Sequence, residues 1–174
     1  MQNTKYDYSS IHVDVPSQLS NEIITWGQEN VTDEEIFVSQ REPCFGREDE
    51  IHATILYGLH AENPDQIKKL LSNEKPIKIQ LGATKVFSNP FKFDVLVIRA
   101  ISHDLHRLNE KLASQVEYAN RYGKYNPHIT IAYVKKGKGW QHGGCKSWKG
   151  REFICDSFIF SSKNGTKERF FFGQ

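Results

Sequence analysis

The pattern His-x-Thr-x-x-Tyr occurs twice in this chain of 174 residues, as Ile51-His52-Ala53-Thr54-Ile55-Leu56-Tyr57 and as Pro127-His128-Ile129-Thr130-Ile131-Ala132-Tyr133, with the two histidines 76 positions apart. Histidine and threonine are too sparse here for chance to produce such a triplet twice with a tyrosine at the same offset. Both copies are rich in β-branched and aliphatic residues and read as strands. Side chains alternate along a strand, so His52 and Thr54 leave one face while Ile51, Ala53, Ile55 and Tyr57 leave the other. The same holds for His128 and Thr130 against Ile129, Ile131 and Tyr133. Each strand thus has an apolar side to bury against helices and a side offering an imidazole and a hydroxyl. On this alternation Tyr57 and Tyr133 are core residues with a hydroxyl at the rim.

The rest of the chain fits around these two strands. Ile11-His12-Val13-Asp14-Val15 alternates like a half-buried strand ended by Pro16, and Ser17 to about Asn30 has helical spacing in Leu19, Ile23, Ile24 and Trp26, with Ser17 or Ser20 as cap. The acidic stretch 33–50 reads as loop. The first motif strand, 51–57, is stopped by Gly58. Asn63-Pro64 opens a helix carrying Ile67, Leu70 and Leu71. Two strands, 76–87 and 92–101, are joined by the turn Ser88-Asn89-Pro90. Ser102 caps a helix from 103 to about 118, with Leu105, Leu108, Leu112 and Val116 in register. The second motif strand runs 128–134, a Gly/Lys/Trp-rich loop covers 135–150, and two more strands lie at about 152–161 and 167–172. This order predicts one α+β (mixed α/β) domain over residues 1–174 with a mixed sheet.

If the two motif strands lie together, two imidazoles and two hydroxyls converge on one cleft, which suits cleavage of a phosphodiester. That reaction removes a proton from the attacking oxygen and gives one to the leaving oxygen. Two histidines with ordinary pKa values of about 6.5 can hold one proton between them at neutral pH. The threonine hydroxyls can hold the non-bridging oxygens. His52, Thr54, His128 and Thr130 are therefore the expected catalytic set, and the chemistry calls for neither metal nor cofactor. His103 and His106 have no evident third ligand and read as a surface pair.

Charge points to an anionic partner for the second half: residues 1–87 hold 8 Lys+Arg against 14 Asp+Glu, and residues 88–174 hold 15 against 7. Mutual attraction of the two halves explains the same bias. The run Lys135 to Arg151 has basic residues, no acidic one, and Trp140 and Trp148, a composition suited to phosphate attraction with base stacking. Lys135 and Trp140 are taken as substrate-binding within a lid, against the alternative of a solvated loop. Tyr8 and His12 could line the cleft from the first strand, and Phe45 and Phe91 could cap a base. Cys44, Cys145 and Cys155 form no C-x-x-C pair and read as free thiols. No apolar run approaches the roughly 20 residues of a membrane helix, and Met1 to Tyr6 gives no secretory signal, so the expected compartment is the cytoplasm.

The wording of His52-Ala53-Thr54 and Pro127-His128-Ile129-Thr130-Ile131-Ala132-Tyr133, with Ser10-Ile11-His12-Val13-Asp14-Val15-Pro16 ahead of them, resembles the two-histidine phosphoesterase superfamily of 2′,5′ RNA ligase-like proteins, in particular small bacterial and phage members. The resemblance spans about residues 10–135, with Glu50-Ile51 standing where proline is common before the first motif. It implies a bilobal, pseudo-two-fold fold with a central cleft, and metal-free attack on a small nucleotide or RNA phosphodiester. Typical substrates are 2′,3′-cyclic phosphates, 2′–5′ linkages or, for phage anti-CBASS nucleases, cyclic oligonucleotide signals met in the host cytoplasm. It implies no protein partner and no membrane. The competing reading is a nucleotide-binding module that sequesters its ligand uncleaved; ligation has no ATP-binding lysine motif behind it.

Overall fold

The computed structural model describes residues 6–39, 45–88, 90 and 92–173, so Cys44, Asn89 and Phe91 lie outside the described residues. Among the described residues three α-helices and eight strands form in chain order: β1 (Ser9–Asp14), α1 (Ser17–Asn30), β2 (His52–Leu59), α2 (Asp65–Leu71), β3 (Ile77–Ser88), β4 (Phe93–Ile101), α3 (His103–Ala113), β5 (His128–Lys135), β6 (Glu152–Cys155), β7 (Ser157–Ser161) and β8 (Lys167–Phe171). The strands make one sheet in the order β6-β3-β4-β5-β2-β1-β7-β8.

The two motif strands, β2 and β5, sit side by side at its centre. They meet at one ladder pair, Ala53 opposite Ile129. Outward from this seam the neighbours repeat: β1 then β7 flank β2, and β4 then β3 flank β5. This is the pseudo-two-fold that the family resemblance implied. The ladders are antiparallel rather than mixed. In the link from β1 to β2, α1 is followed by residues 45–48, which run along β5 before β2 begins.

Because β2 and β5 diverge from a single pair, each has a freed edge whose backbone groups need partners. Segments preceding each strand supply them to the other. Residues before β2 pair with β5, through the bridges Ile36–Val134 and Arg47–Ala132 and the bonds Glu48 N–H to Ile131 O (2.9 Å) and Tyr133 N–H to Gly46 O (2.8 Å). Residues before β5 pair with β2, through the bridge Leu59–Tyr118 and the bond Ala119 N–H to Gly58 O (2.8 Å). Side chains complete the β2 edge, with Asn109 donating to Ile55 O and Tyr125 Oη–H to Thr54 O. The stretch around 33–50 is thus partly strand-paired. Helix α3 ends at Ala113 rather than near 118 because residues 117–119 are drawn into this pairing.

The apolar face of the sheet carries the helices. Leu19 and Ile23 of α1 and Leu105, Leu108 and Leu112 of α3 join Ile55, Ile129 and Ile131 in one core. Gly27 of α1 sits where an added Cβ would be 3.1 Å from Ile131. Ser102 caps α3, its Oγ accepting from Leu105 N–H. At α1 the cap is Pro16, with no side-chain bond from Ser17 or Ser20; the Pro16 carbonyl accepts from Ser20 N–H instead. The expected strand 152–161 is two: β6 ladders with β3 and β7 with β1, and Asp156 alone separates them. One extended segment therefore ties the lobes a second time.

Gly58 does not stop β2 but lies inside it. Its φ is +95°, and a Cβ there would stand 2.5 Å from the Ala119 carbonyl oxygen. Gly58→Ala is expected to cost about 2–3 kcal/mol from backbone strain and clash. Urea denaturation checks this against Gly123→Ala, where φ is also positive but nothing stands within 4 Å; equal midpoints for the two variants would contradict the account.

Candidate active site

The seam pair fixes the site. With Ala53 opposite Ile129 in an antiparallel pair, His52 lies opposite Thr130 and Thr54 opposite His128. The two histidines are diagonal neighbours, about 7–8 Å apart along the ladder. All four side chains leave the face away from the helical core. The register thus brings two imidazoles, each with a hydroxyl beside it, onto one face.

Both rings are held in the same way. Nδ1–H of His52 donates to the Glu50 carbonyl (2.6 Å), and Nδ1–H of His128 donates to the Asn126 carbonyl (2.7 Å). A carbonyl oxygen only accepts, so each Nδ1 must carry hydrogen and each Nε2 is left to exchange a proton with a ligand. Burial lowers the pKa of both histidines, and the backbone bond partly opposes it.

The tyrosines of the repeat face this side, contrary to simple alternation. On β1, Ser10, His12 and Asp14 share a face, and their ladder partners are Tyr57, Thr54 and His52. On β4, Val95, Val97 and Arg99 share a face, and their partners are Tyr133, Thr130 and His128. Each motif strand has a surplus residue at the same place in the repeat, Ile55 in β2 and Ile131 in β5, and β2 has a second at Gly58. Such a bulge shifts the remainder of the strand by one position, returning the tyrosine to the histidine face. Sequence alternation misses it because the bulged residues are ordinary isoleucines.

Two aromatic groups thereby flank the histidines. Beyond Thr54, Tyr57 meets Tyr8 (ring centroids 5.9 Å) and Tyr122 (5.9 Å), and the Arg121 guanidinium lies 4.9 Å over the Tyr8 ring. Tyr122 is 79% exposed, so this group is open. Beyond Thr130, Tyr133 packs with Phe45 (5.1 Å) and Phe93 (5.7 Å), closed off by Phe37. Phe87 of β3 stands edge-on to His128 at 4.9 Å.

Of the residues expected from sequence, Tyr8, His12 and Phe45 come to the histidine face or its ends. His12 is buried, 6% exposed, its ring 4.4 Å from that of His52. Lys135 and Trp140 do not reach the histidines. The Lys135 ammonium is taken by the Glu34 carbonyl (2.6 Å). Gly139 packs on Val134 and Val86, core residues of the helical side, and Trp148 is buried edge-on to Trp26 of α1 at 5.4 Å. Gly139 and Trp148 are therefore packing contacts on the opposite face rather than parts of a lid over the histidines, while Trp140 is 61% exposed. Among the described residues no three or more His, Cys, Asp or Glu side chains are arranged to hold a metal ion. No helix is long and apolar enough to cross a membrane.

Residues 39–140 match the family model described as the 2′-5′ RNA ligase superfamily. Solved structures share the fold. TT0787 of Thermus thermophilus superposes with a TM-score of 0.69 at 18% identity, over 95% of this chain and 98% of that one. LigT of E. coli complexed with 3′-AMP gives 0.61 at 14% identity over 96% and 98%. Usb1 of Kluyveromyces marxianus gives 0.55 at 10% identity over 95% and 98%. No curated protein matches by sequence.

At the mouth of β2, Glu48 is pushed up to about 7 by burial and by neighbouring Asp49 and Glu50, with Lys167 opposing. A carboxyl raised in the folded state stabilises below its unfolded pKa, and that contribution is lost as pH rises through the folded value. The window is about 4.5 to 7. Glu48→Gln is expected to raise the melting temperature more at pH 8 than at pH 5; an equal change at both would contradict the burial of this carboxyl.

Proposed function

The chain belongs to the 2′-5′ RNA ligase superfamily of two-histidine phosphoesterases, and from that premise we propose that it is a metal-independent phosphodiesterase acting on a small nucleotide or RNA end. The observation that carries the reading is the diagonal pair of imidazoles, each with Nδ1 tied to a backbone carbonyl and Nε2 available on one face. One neutral Nε2 takes the proton of the attacking hydroxyl or water as its oxygen bonds to phosphorus. The other imidazole, protonated, gives its proton to the oxygen leaving phosphorus. Thr54 and Thr130 donate to the non-bridging oxygens as charge builds there.

The substrate classes that suit the site are 2′,3′-cyclic phosphates, 2′–5′ linkages and cyclic oligonucleotide second messengers, the last fitting a phage anti-defence role. The open group Tyr8, Tyr57, Tyr122 and Arg121 supports stacking of a nucleobase beside the scissile phosphate. E. coli LigT has been solved with 3′-AMP, ATP and NADP+, in keeping with a nucleotide ligand.

Incubation with these three classes in the presence of EDTA is expected to give product from at least one, with a bell-shaped pH–rate profile. His52→Ala and His128→Ala are each expected to lower the rate by about 10²-fold or more. Loss of turnover on chelation would contradict the mechanism. Tight binding with every ligand recovered intact would favour a sequestering protein instead.

A further inference from the structure

The pseudo-two-fold equates β1 beside β2 with β4 beside β5, but the residues in equivalent positions differ in charge. The ladder partner of His52 is Asp14, and that of His128 is Arg99. The partner of Thr54 is His12, and that of Thr130 is Val97. We infer that His12 and Asp14 form a positioning unit on β1 that keeps the shared proton on His52, making His52 the acid and His128 the base. The assignment of roles rests on the phosphodiesterase reading; the location of the proton does not.

The geometry of the unit is specific. Asp14 accepts from Arg169 of β8 at 2.6 Å, and its other oxygen faces His12 Nε2 at 3.6 Å. His12 is sealed between β2 and β7, opposite Thr54 on one side and Ile159 on the other. Its ring lies on that of His52 at an interplanar angle of 42°. This contact fixes the orientation of the His52 ring from behind, while the Glu50 carbonyl fixes its tautomer. An imidazole face against His52 also suits a cation better than a second cation would.

The charged groups around each ring agree. Burial lowers His52 most, and Lys167 adds to this; the bond to the Glu50 carbonyl and the charges of Asp14 and Glu50 oppose it. His12 faces Lys167 and Arg169 and is itself driven down to about 3 by burial and by His52, so it stays neutral. Burial lowers His128 and the charge of His52 lowers it further, opposed by the bond to the Asn126 carbonyl but by no carboxylate. A carboxylate opposite His52, with a guanidinium in the equivalent place opposite His128, is what puts a shared proton on His52. Once there it discourages protonation of both others.

Imidazole titration by NMR on the intact chain reads this without turnover. His52 is expected to titrate at higher pH than His128; the reverse order would overturn the inference. Asp14→Asn removes a carboxylate beside His52 and is expected to move the His52 titration, and the alkaline limb of the pH–rate profile, down by about one pH unit. The acidic limb, which belongs to His128, stays in place. A shift of the acidic limb alone would also overturn it. For positioning, His12→Ala is expected to lower kcat by about 10- to 100-fold with KM little changed, as a misplaced acid does. His12→Phe, which keeps a ring against His52, restores most of that loss. An unchanged kcat in His12→Ala, or no recovery in His12→Phe when both variants fold, counts against the unit. Absence of turnover on every substrate would sink the phosphodiesterase reading while leaving the NMR order to decide where the proton resides.

Discussion

The structure depends on how little β2 and β5 pair. A full ladder between them would satisfy both backbones internally and leave no gap between the lobes. Limited to Ala53 and Ile129, the pairing sets the histidines at a fixed diagonal and lets the strands diverge beyond it. The freed edges then demand hydrogen-bond partners, because unpaired buried backbone groups are costly. Each lobe meets the demand with the segment that precedes the other lobe's motif. The same exchange brings Phe45 and Tyr122 to the two ends of the site, so the solution to a backbone problem also supplies side chains around the cleft.

Symmetry of scaffold and asymmetry of charge do different work. The repeated elements give both histidines an equivalent anchor, a carbonyl two residues upstream, and give both threonines an equivalent place. Two identical imidazoles would still be poorly suited to opposite proton-transfer tasks. The differences lie one strand further out, where Asp14 and His12 stand on one side and Arg99 and Val97 on the other. Neighbouring strands are where a fold can alter a reactive group without displacing it.

Much of the scaffold was legible in the sequence because it is written in local periodicity. Helix α1 runs over the expected Ser17–Asn30, and the histidine and threonine of each motif share a face as alternation requires. What was not legible is set by contacts between distant segments. Nothing local marks Ile55 and Ile131 as bulged, so alternation alone puts Tyr57 and Tyr133 on the wrong face. The run 152–161 reads as one strand because its residues are extended throughout; only the partners β3 and β1 divide it at Asp156. The pairing of residues 45–48 with β5 and of 117–119 with β2 is invisible to any reading that treats each stretch alone.

The basic second half shows how composition misleads when position is unknown. Six of its fifteen Lys and Arg meet carboxylates of the first half: Arg107 and Lys111 with Glu74, Arg151 with Glu22, Lys163 with Glu62, Lys167 with Glu50 and Arg169 with Asp14. Attraction between the halves therefore accounts for part of the bias that the sequence left open between that cause and an anionic ligand. The segment 135–151 joins them on the helical face through Trp148 against Trp26. On the histidine face the same kind of pairing takes a second role, because Lys167 and Arg169 hold the carboxylates of Glu50 and Asp14 beside His52. A cation that neutralises a carboxylate completely would remove its influence on the imidazole. Asp14 retains that influence because His52 is its direct ladder partner, whereas Arg169 reaches it from β8, two strands further from the site.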